Sequence, residues 1–585
     1  MHYLIQNVTV SFPSSLAEPK EPNRISQAGR TRRRFAITSA LVALTVLSGW
    51  IPSRPLYLTN DDVGMRLLVE GHVAPGAAPT PFVMFMHIAI GWVLAVLYSA
   101  ANNVPWYDVL MFATAVASTV GLVAVWNGTS GRASILRALM VSIALLGPLF
   151  ATPQFSLIGM TSAATGLMLV IRSVDGTRGP DSTSAAWRLY GVCLFTLGTL
   201  IRWEGSVVLL IQATVSLLAA SVSRVNSSLV GPRRLLTIVT LLAAFPLLAA
   251  ITNVVVYQRS PGWMEFPEFN YTRGMLTEYA PAGGVAPEVM SALRAKTGWS
   301  ENDLQLLRGW FFENPSVFSL DKLRAALTVI RHRNVTVGSI VTGMGGAIKS
   351  LLAQTWVPML FLLAVSTSTG RPARQVLFTV ILLLVFLVVG GSASVWLKEL
   401  PFRVYWPMLV LVGVAISRGN GDSTPRVSPY SLLAIAALLV LIAIPRWQQQ
   451  QLRVAEAREV NVDVTALARL EPSIVLIHAD TLRWEYVWHP FSNSRFPYPF
   501  VGIGVGARTP PLQSLLRRNG QIDLANAMCS GDRVLLLARS WLPPAIVIFL
   551  QEHYSRRVTF DAVFEGRTFT AWRCRADAPR NASRD

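Results

Sequence analysis

Two adjacent carboxylates, Asp61 and Asp62, stand in Thr59-Asn60-Asp61-Asp62-Val63-Gly64-Met65-Arg66, just past the first long apolar run. A carboxylate placed there can take a proton from an incoming hydroxyl at a membrane surface, while its neighbour tunes the local charge. The same residues also read as a helix start, because Asn60, Asp61 and Asp62 precede Val63 and Leu67 at helical spacing and the helix dipole favours acid in a first turn. Arg66 follows Asp62 by four residues, the spacing of an ion pair on one helix face. Spacing alone leaves both readings standing.

Other charged groups sit at the edges of apolar runs. In Arg202-Trp203-Glu204-Gly205, Arg202 is a candidate partner for a phosphate, since charge at membrane depth faces a cavity or a partner; pairing with Glu204 is the competing role. Lys398, Glu399 and Arg403 invite the same reading, with snorkelling as the alternative. His72 and His87 lie near the acidic pair but lack further ligands at metal-binding spacing, so a divalent metal would rest on Asp61. Gly502-Ile503-Gly504-Val505-Gly506 falls short of a dinucleotide fingerprint and reads as a turn-rich loop.

Membrane helices must position these groups. Of 585 residues, 52% are hydrophobic and only 14% charged, against about 25% charged in soluble domains. A polytopic membrane protein is implied, and the net charge of +19 marks cytoplasmic loops rather than nucleic-acid binding. Arg30-Thr31-Arg32-Arg33-Arg34 precedes the run 35–50, the pattern of an anchor with residues 1–34 as a cytoplasmic basic tail. Further spans are expected at 106–126, 134–151, 155–172, 187–201, 205–222, 234–257, 345–367, 374–391, 403–417 and 429–445.

The run 82–100 decides the topology. If it crosses, the basic connections holding Arg132, Arg137, Arg172, Arg188, Arg224 and Arg426 move outside, against the positive-inside tendency. A surface helix there gives eleven spans, the N-terminus inside and the C-terminus outside. Asp61, Arg202, Arg403 and the outer loops 53–105 and 258–344 then share one face.

The loop 258–344 reads as a folded cover, with a helix from 301 to 312 capped by Ser300 and Asp303. Residues 446–585 read as a small extracytoplasmic α/β domain: strands 474–477 and 533–537, helices 511–518 and 545–554, and a closing β pair at 558–563 and 568–574. Cys529 and Cys574 both fall there, so one disulfide is open to them in an oxidising compartment, whereas Cys193 reads as a buried thiol. The expected fold class is therefore mainly α, a polytopic bundle of about 11 transmembrane helices over residues 35–445 followed by that domain.

Asn60-Asp61-Asp62, the Pro79-Thr80-Pro81 start of a surface helix and Arg202-Trp203-Glu204-Gly205, combined with this topology, resemble the GT-C superfamily of membrane glycosyltransferases. Trp203 stands where many of that family carry proline. The resemblance implies transfer of a sugar from a polyprenyl-phosphate donor to a cell-envelope glycan or lipid-linked acceptor on the outer face of a cytoplasmic membrane. Asp61 or Asp62 would be the base in an inverting reaction; Arg202, Arg403 and Lys398 would hold the donor phosphate, supported by Arg66, Glu204 and His72. It requires no nucleotide or redox cofactor, while a divalent metal stays open. A lipid-linked glycan flippase and a noncatalytic glycan-binding protein are the rival readings.

Overall fold

The computed structural model describes residues 23–576 apart from the segments 51–53, 127–131, 175–181, 223–231, 279–286, 332–336, 368–371, 398–399, 417–427, 479–480, 493–495, 519–523 and 530–532. Every expected span is a helix: Asn23–Trp50, Trp106–Trp126, Arg132–Ala151, Phe155–Val174, Ser182–Ile201, Trp203–Val222, Pro232–Gln258, Val337–Thr367, Pro372–Leu397, Phe402–Ile416 and Pro429–Ala466. Among the described residues, six helices are long and apolar enough to cross a membrane, and further apolar helices are shorter. Leu247, Leu248, Ile251 and Leu433 project outward, as a bundle solvated by lipid requires, while Leu145, Phe195 and Trp406 fill its interior.

The helix Ile88–Ala100 does not thread this bundle. Its start is fastened by His87 N–H to Leu200 O (2.8 Å) and Ile88 N–H to the Asn253 side chain (3.0 Å). Its end is fastened by Tyr98, whose hydroxyl accepts from Tyr107 N–H at 2.9 Å. Leu200 and Asn253 close two helices and Tyr107 opens a third, so the short helix lies across one end of the bundle. The sequence reading started it at Pro79; the structure starts it at Ile88, after an N-cap in which the His87 imidazole accepts from Ala89 N–H at 3.1 Å. Pro79 to Pro81 instead run as irregular chain laid over the helix, whose Gly91 has room only for a hydrogen beside Pro81 O.

At the same end, the 38-residue helix Pro429–Ala466 runs ~57 Å at 1.5 Å per residue, well beyond a bilayer core. Its Gln450 side chain donates to Arg54 O and Ala151 O (3.2 and 3.4 Å), and its far end carries the C-terminal sheet. The strands are β1 (Ile474–His478), β2 (Phe500–Ile503), β3 (Val534–Ala538), β4 (Val558–Glu565) and β5 (Thr570–Ala576), ordered β2-β1-β3-β5-β4. β1 is parallel to β2 and β3; β5 is antiparallel to β3 and β4. β2 is a correction to the turn-rich loop: Gly502 and Ile503 pair with Ile477 and His478 of β1, and Trp484 occupies the space a side chain at Gly502 would fill.

The long loop shares a hydrophobic core with this sheet. Phe311, Phe312 and Phe318 are buried with Leu536, Ile546 and Phe549, and the expected capping box is present, Asp303 N–H donating to Ser300 Oγ at 3.1 Å and Ser300 N–H to Asp303 Oδ2 at 2.9 Å. The helix it starts, Glu301–Arg308, stops at Gly309, short of residue 312. Cys529 and Cys574 form a disulfide. Cys193 is exposed on the flank of the bundle rather than buried.

Candidate active site

The acidic pair opens the helix Asn60–Glu70, an 11-residue element that ends at Gly71 with φ of 75°. That left-handed residue turns the chain against Pro79, whose N would lie 2.7 Å from any Cβ there, so glycine alone fits. Thr59 takes the N-cap position without a side-chain cap bond, leaving the carboxylates free for other partners.

The two carboxylates face different surroundings. Asp62 is fully buried: its Oδ1 accepts from the Tyr107 hydroxyl and from Phe155 N–H, both at 2.9 Å, and its Oδ2 from Thr59 Oγ1 at 3.4 Å. Burial pushes its carboxyl up to about 8, against the opposing pull of the Tyr107 and Phe155 hydrogen bonds. Asp61 keeps 30% of its side chain exposed and lies 3.7 Å from the Arg403 guanidinium. Desolvation by the surrounding protein raises its carboxyl as well; Arg403 pulls it down, Glu278 pushes it up, and Arg202 and Arg273 pull it down further. Asp61 is thus the accessible carboxylate of the pair, and Asp62 ties the helix to the bundle.

Around Asp61 the cations converge from separate elements. Arg403 starts a bundle helix and keeps 35% of its side chain exposed. Arg202, in the break between two helices, lies with its guanidinium 5.6 Å from the Phe155 ring centre and pairs with Glu204 at 3.4 Å. Phe155 thus bonds Asp62 through its N–H and supports Arg202 with its ring. Arg273, from the covering loop, is held by Glu278 at 2.9 Å and by the Trp310 ring at 4.3 Å. Lys398 lies outside the described residues.

Two supporting assignments are corrected. Arg66 pairs not with Asp62 but with Glu70 (2.7 Å) and Asp108 (3.2 Å), and donates to His489 O and Ser492 O at 3.0 and 2.7 Å. Asp62 is already saturated by hydrogen-bond donors, and the turn from 66 to 70 brings Glu70 into reach. His72 sits at the opposite end of the helix from Asp61, 3.3 Å from Glu70 Oε2, since nine residues of helix separate the ends by ~13 Å.

Tyr57, Tyr107, Asp108, Arg273 and Glu278 were not singled out from sequence. Tyr57 donates to Asp108, whose other oxygen accepts from Phe491 N–H at 2.8 Å. An acid at the head of an apolar helix was a usable signal for Asp108. Arg273 and Glu278 carry no comparable mark.

Asp61 thus has Arg403 at 3.7 Å, with Arg202, Arg273 and Glu278 also in its field. Among the described residues, the group of three potential metal ligands is Asp303, Glu552 and His553. There Asp303 is engaged by the helix cap and by His553 at 2.9 Å.

The fold and site define a mainly helical chain with a carboxylate and arginine cluster at the mouth of an apolar bundle. No protein-family model matches it and no curated protein matches it. Among solved structures it is similar to the archaeal oligosaccharyltransferase AglB from Archaeoglobus fulgidus, in complex with an inhibitory peptide and a dolichol-phosphate, at 10% identity and a TM-score of 0.37 over 87% of this chain and 70% of that one. It is also similar to ArnT from Cupriavidus metallidurans, in the apo state and bound to undecaprenyl phosphate, at 12% identity and a TM-score of 0.37 over 91% and 97% of the two chains.

Proposed function

We propose that the protein is a membrane glycosyltransferase that moves a sugar from a polyprenyl-phosphate donor to a cell-envelope glycan or lipid-linked acceptor, as in polysaccharide biosynthesis, on the extracytoplasmic face of the membrane. The observation that carries this reading is Asp61: a half-exposed carboxylate with its own cation at 3.7 Å and further arginines in its field, at a bundle end roofed by a folded loop. A lipid-linked substrate reaches that end from the bilayer without leaving it.

The chemistry balances with this chain's residues. The acceptor hydroxyl gives its proton to the Asp61 carboxylate while its oxygen bonds to the anomeric carbon. The bond from that carbon to the phosphate oxygen breaks, the electron pair leaves with the polyprenyl phosphate, and displacement from the opposite face inverts the anomeric centre. Arg403 and Arg202 take up the phosphate charge as it develops, the role for which planar guanidinium groups are suited. The Cys529–Cys574 disulfide supports an oxidising, extracytoplasmic location for the C-terminal domain.

Purified protein incubated with a panel of polyprenyl-phosphate sugars and envelope glycan acceptors tests the reading. It expects consumption of one donor, release of free polyprenyl phosphate and loss of both in Asp61→Asn. Consumption of no donor, or full turnover by Asp61→Asn, overturns it.

A further inference from the structure

The end of the Asn60–Glu70 helix remote from Asp61 forms one wall of a separate cavity of about 590 Å³, inside the ~300–1,000 Å³ range of ligand clefts. Three parts of the chain line it: residues 66–77, the turn 102–105 ahead of a bundle helix, and Trp488, Phe496 and Tyr498 of the C-terminal domain. We propose that this cavity binds a neutral saccharide segment of the acceptor, a proposal that rests on the transferase reading and extends it from Asp61 to the polymer beyond.

The lining combines aromatic faces with uncharged and acidic hydrogen-bonding groups. Tyr498, half-buried, meets Phe496 edge-on at 5.6 Å, and Phe496 in turn stacks on Trp488 at 5.8 Å with 26° between their planes. The buried Trp488–Phe496 pair thus fixes the Tyr498 ring, whose accessible part suits the C–H face of a sugar ring. Opposite stand His72, half-buried, and the exposed Asn102 and Asn103. Glu70 Oε1 accepts from Arg66 Nε at 2.7 Å and from the Tyr98 hydroxyl at 3.1 Å, while among the described residues Oε2 meets only His72. Burial pushes the Glu70 carboxyl up, but His72 and Arg66 outweigh it and hold it below its usual range. It therefore remains an ionised acceptor with unused lone pairs on Oε2.

The same groups argue against other occupants. Arg66 is the arginine of the lining, and its guanidinium is engaged by Glu70, Asp108, His489 O and Ser492 O, so it offers nothing to a phosphate, which Glu70 would also repel. A lipid tail would desolvate Glu70, His72 and both asparagines with no return bond. A neutral polyhydroxyl chain satisfies both walls, and ~13 Å of helix rise separates this wall from Asp61, leaving room for the reacting sugar between them.

Binding of maltotriose, mannotriose and cellotriose to the detergent-purified full chain, followed by saturation-transfer NMR and calorimetry without any donor, provides the test. One of the three is expected to bind, with affinity reduced at least tenfold by Asn103→Trp, which fills the cavity from an exposed turn, and by Tyr498→Ala. Asp61→Asn should bind it like the parent chain. That separates the cavity from the transfer site: loss of turnover in Asp61→Asn with saccharide binding retained supports the cavity as a binding site of its own, and loss of binding in Asp61→Asn overturns it. Absence of binding by all three, or binding indifferent to Asn103→Trp, overturns the proposal. So does undecaprenyl phosphate, or an uncharged Gly/Ser peptide, binding in a manner that Asn103→Trp blocks.

Discussion

The Arg403 guanidinium stands 3.7 Å from the Asp61 carboxylate, although one begins a late bundle helix and the other belongs to the first loop. The adjacent Asp62 points the other way, into three hydrogen-bond donors from Thr59, Tyr107 and Phe155. Neighbours in sequence thus have opposite tasks: one is accessible and paired to a cation, the other buried and saturated.

Asp61→Asn should lower transfer by about 10²–10⁴-fold, the range of a lost general base, with little change in thermal stability. Asp62→Ala should act in reverse, leaving the Tyr107 hydroxyl and Phe155 N–H buried without a partner at a cost of ~1–3 kcal/mol each. Asp62→Asn keeps an acceptor oxygen and should be far milder than Asp62→Ala. Turnover and thermal unfolding of the three variants in one detergent check this; equal activity losses for Asp61→Asn and Asp62→Asn, at equal stability, would sink the division of roles.

Protonation gives a second check on the buried aspartate. An unfolded aspartate ionises near ~3.9, whereas burial pushes Asp62 up to about 8. The native state therefore keeps a proton the unfolded chain has released. Its stabilising contribution is complete below about 4 and is lost as pH rises through about 8. Unfolding midpoints should fall over that window in the parent chain, and Asp62→Asn should flatten this part of the profile. A parent profile that rises over the same window contradicts it.

Catalysis should show the opposite sensitivity, through Asp61. Its carboxyl is raised by desolvation and held back chiefly by Arg403, so the acid limb of the kcat/KM profile should lie above the ordinary carboxylate range. Arg403→Ala removes the main downward pull and should move that limb to still higher pH while weakening donor use. An unmoved or lowered limb would remove Arg403 from the neighbourhood of the base.

How much of this was legible beforehand depends on how local each signal is. Each bundle helix announces itself as an apolar run, and the arginines between runs argue against a crossing by 82–100; in the structure both ends of Ile88–Ala100 are fastened to one end of the bundle. Ser300 and Asp303 are three residues apart, so their cap was readable too. The site's partners are not local: Arg273 and Glu278 come from the cover, Tyr107 and Asp108 from the head of a span, and nothing in their flanks ties them to Asp61 or Asp62. β2, four residues that include a glycine, carries too weak a strand signal to be read from sequence. The spacing of Arg66 cannot choose its carboxylate, because two acids, Asp62 and Glu70, stand four residues from it in opposite directions and the structure pairs it with Glu70.

The seat of the surface helix can be probed at Gly91. In an ordinary helix interior, Gly→Ala stabilises by up to ~1 kcal/mol. Here an added Cβ would lie 1.8 Å from Pro81 O, and that backbone cannot yield as a side chain would. Gly91→Ala should therefore destabilise by ~1–3 kcal/mol, as overpacking does, and displace the chain from Pro79 to Pro81. Gly64→Ala in the helix bearing the acidic pair is the control, since its Cβ meets only the Met84 side chain at 3.6 Å and should be neutral or stabilising. Thermal unfolding of both variants decides, and like-signed shifts would contradict the packing.

The disulfide carries a consequence for the orientation of the whole chain. Cys529 and Cys574, 45 residues apart in sequence, are both nearly inaccessible; closing a loop of that size contributes about 4 kcal/mol by the chain-entropy relation. Cys574→Ser should therefore lower the unfolding midpoint of the C-terminal domain. Protein taken from membranes and denatured without reductant should alkylate only at Cys193, and at all three cysteines once reductant is added. Alkylation at Cys529 and Cys574 without reductant would mean that the domain matured in a reducing compartment, and the C-terminus, with Asp61 and its arginines at the same end of the bundle, would have to be placed on the cytoplasmic side.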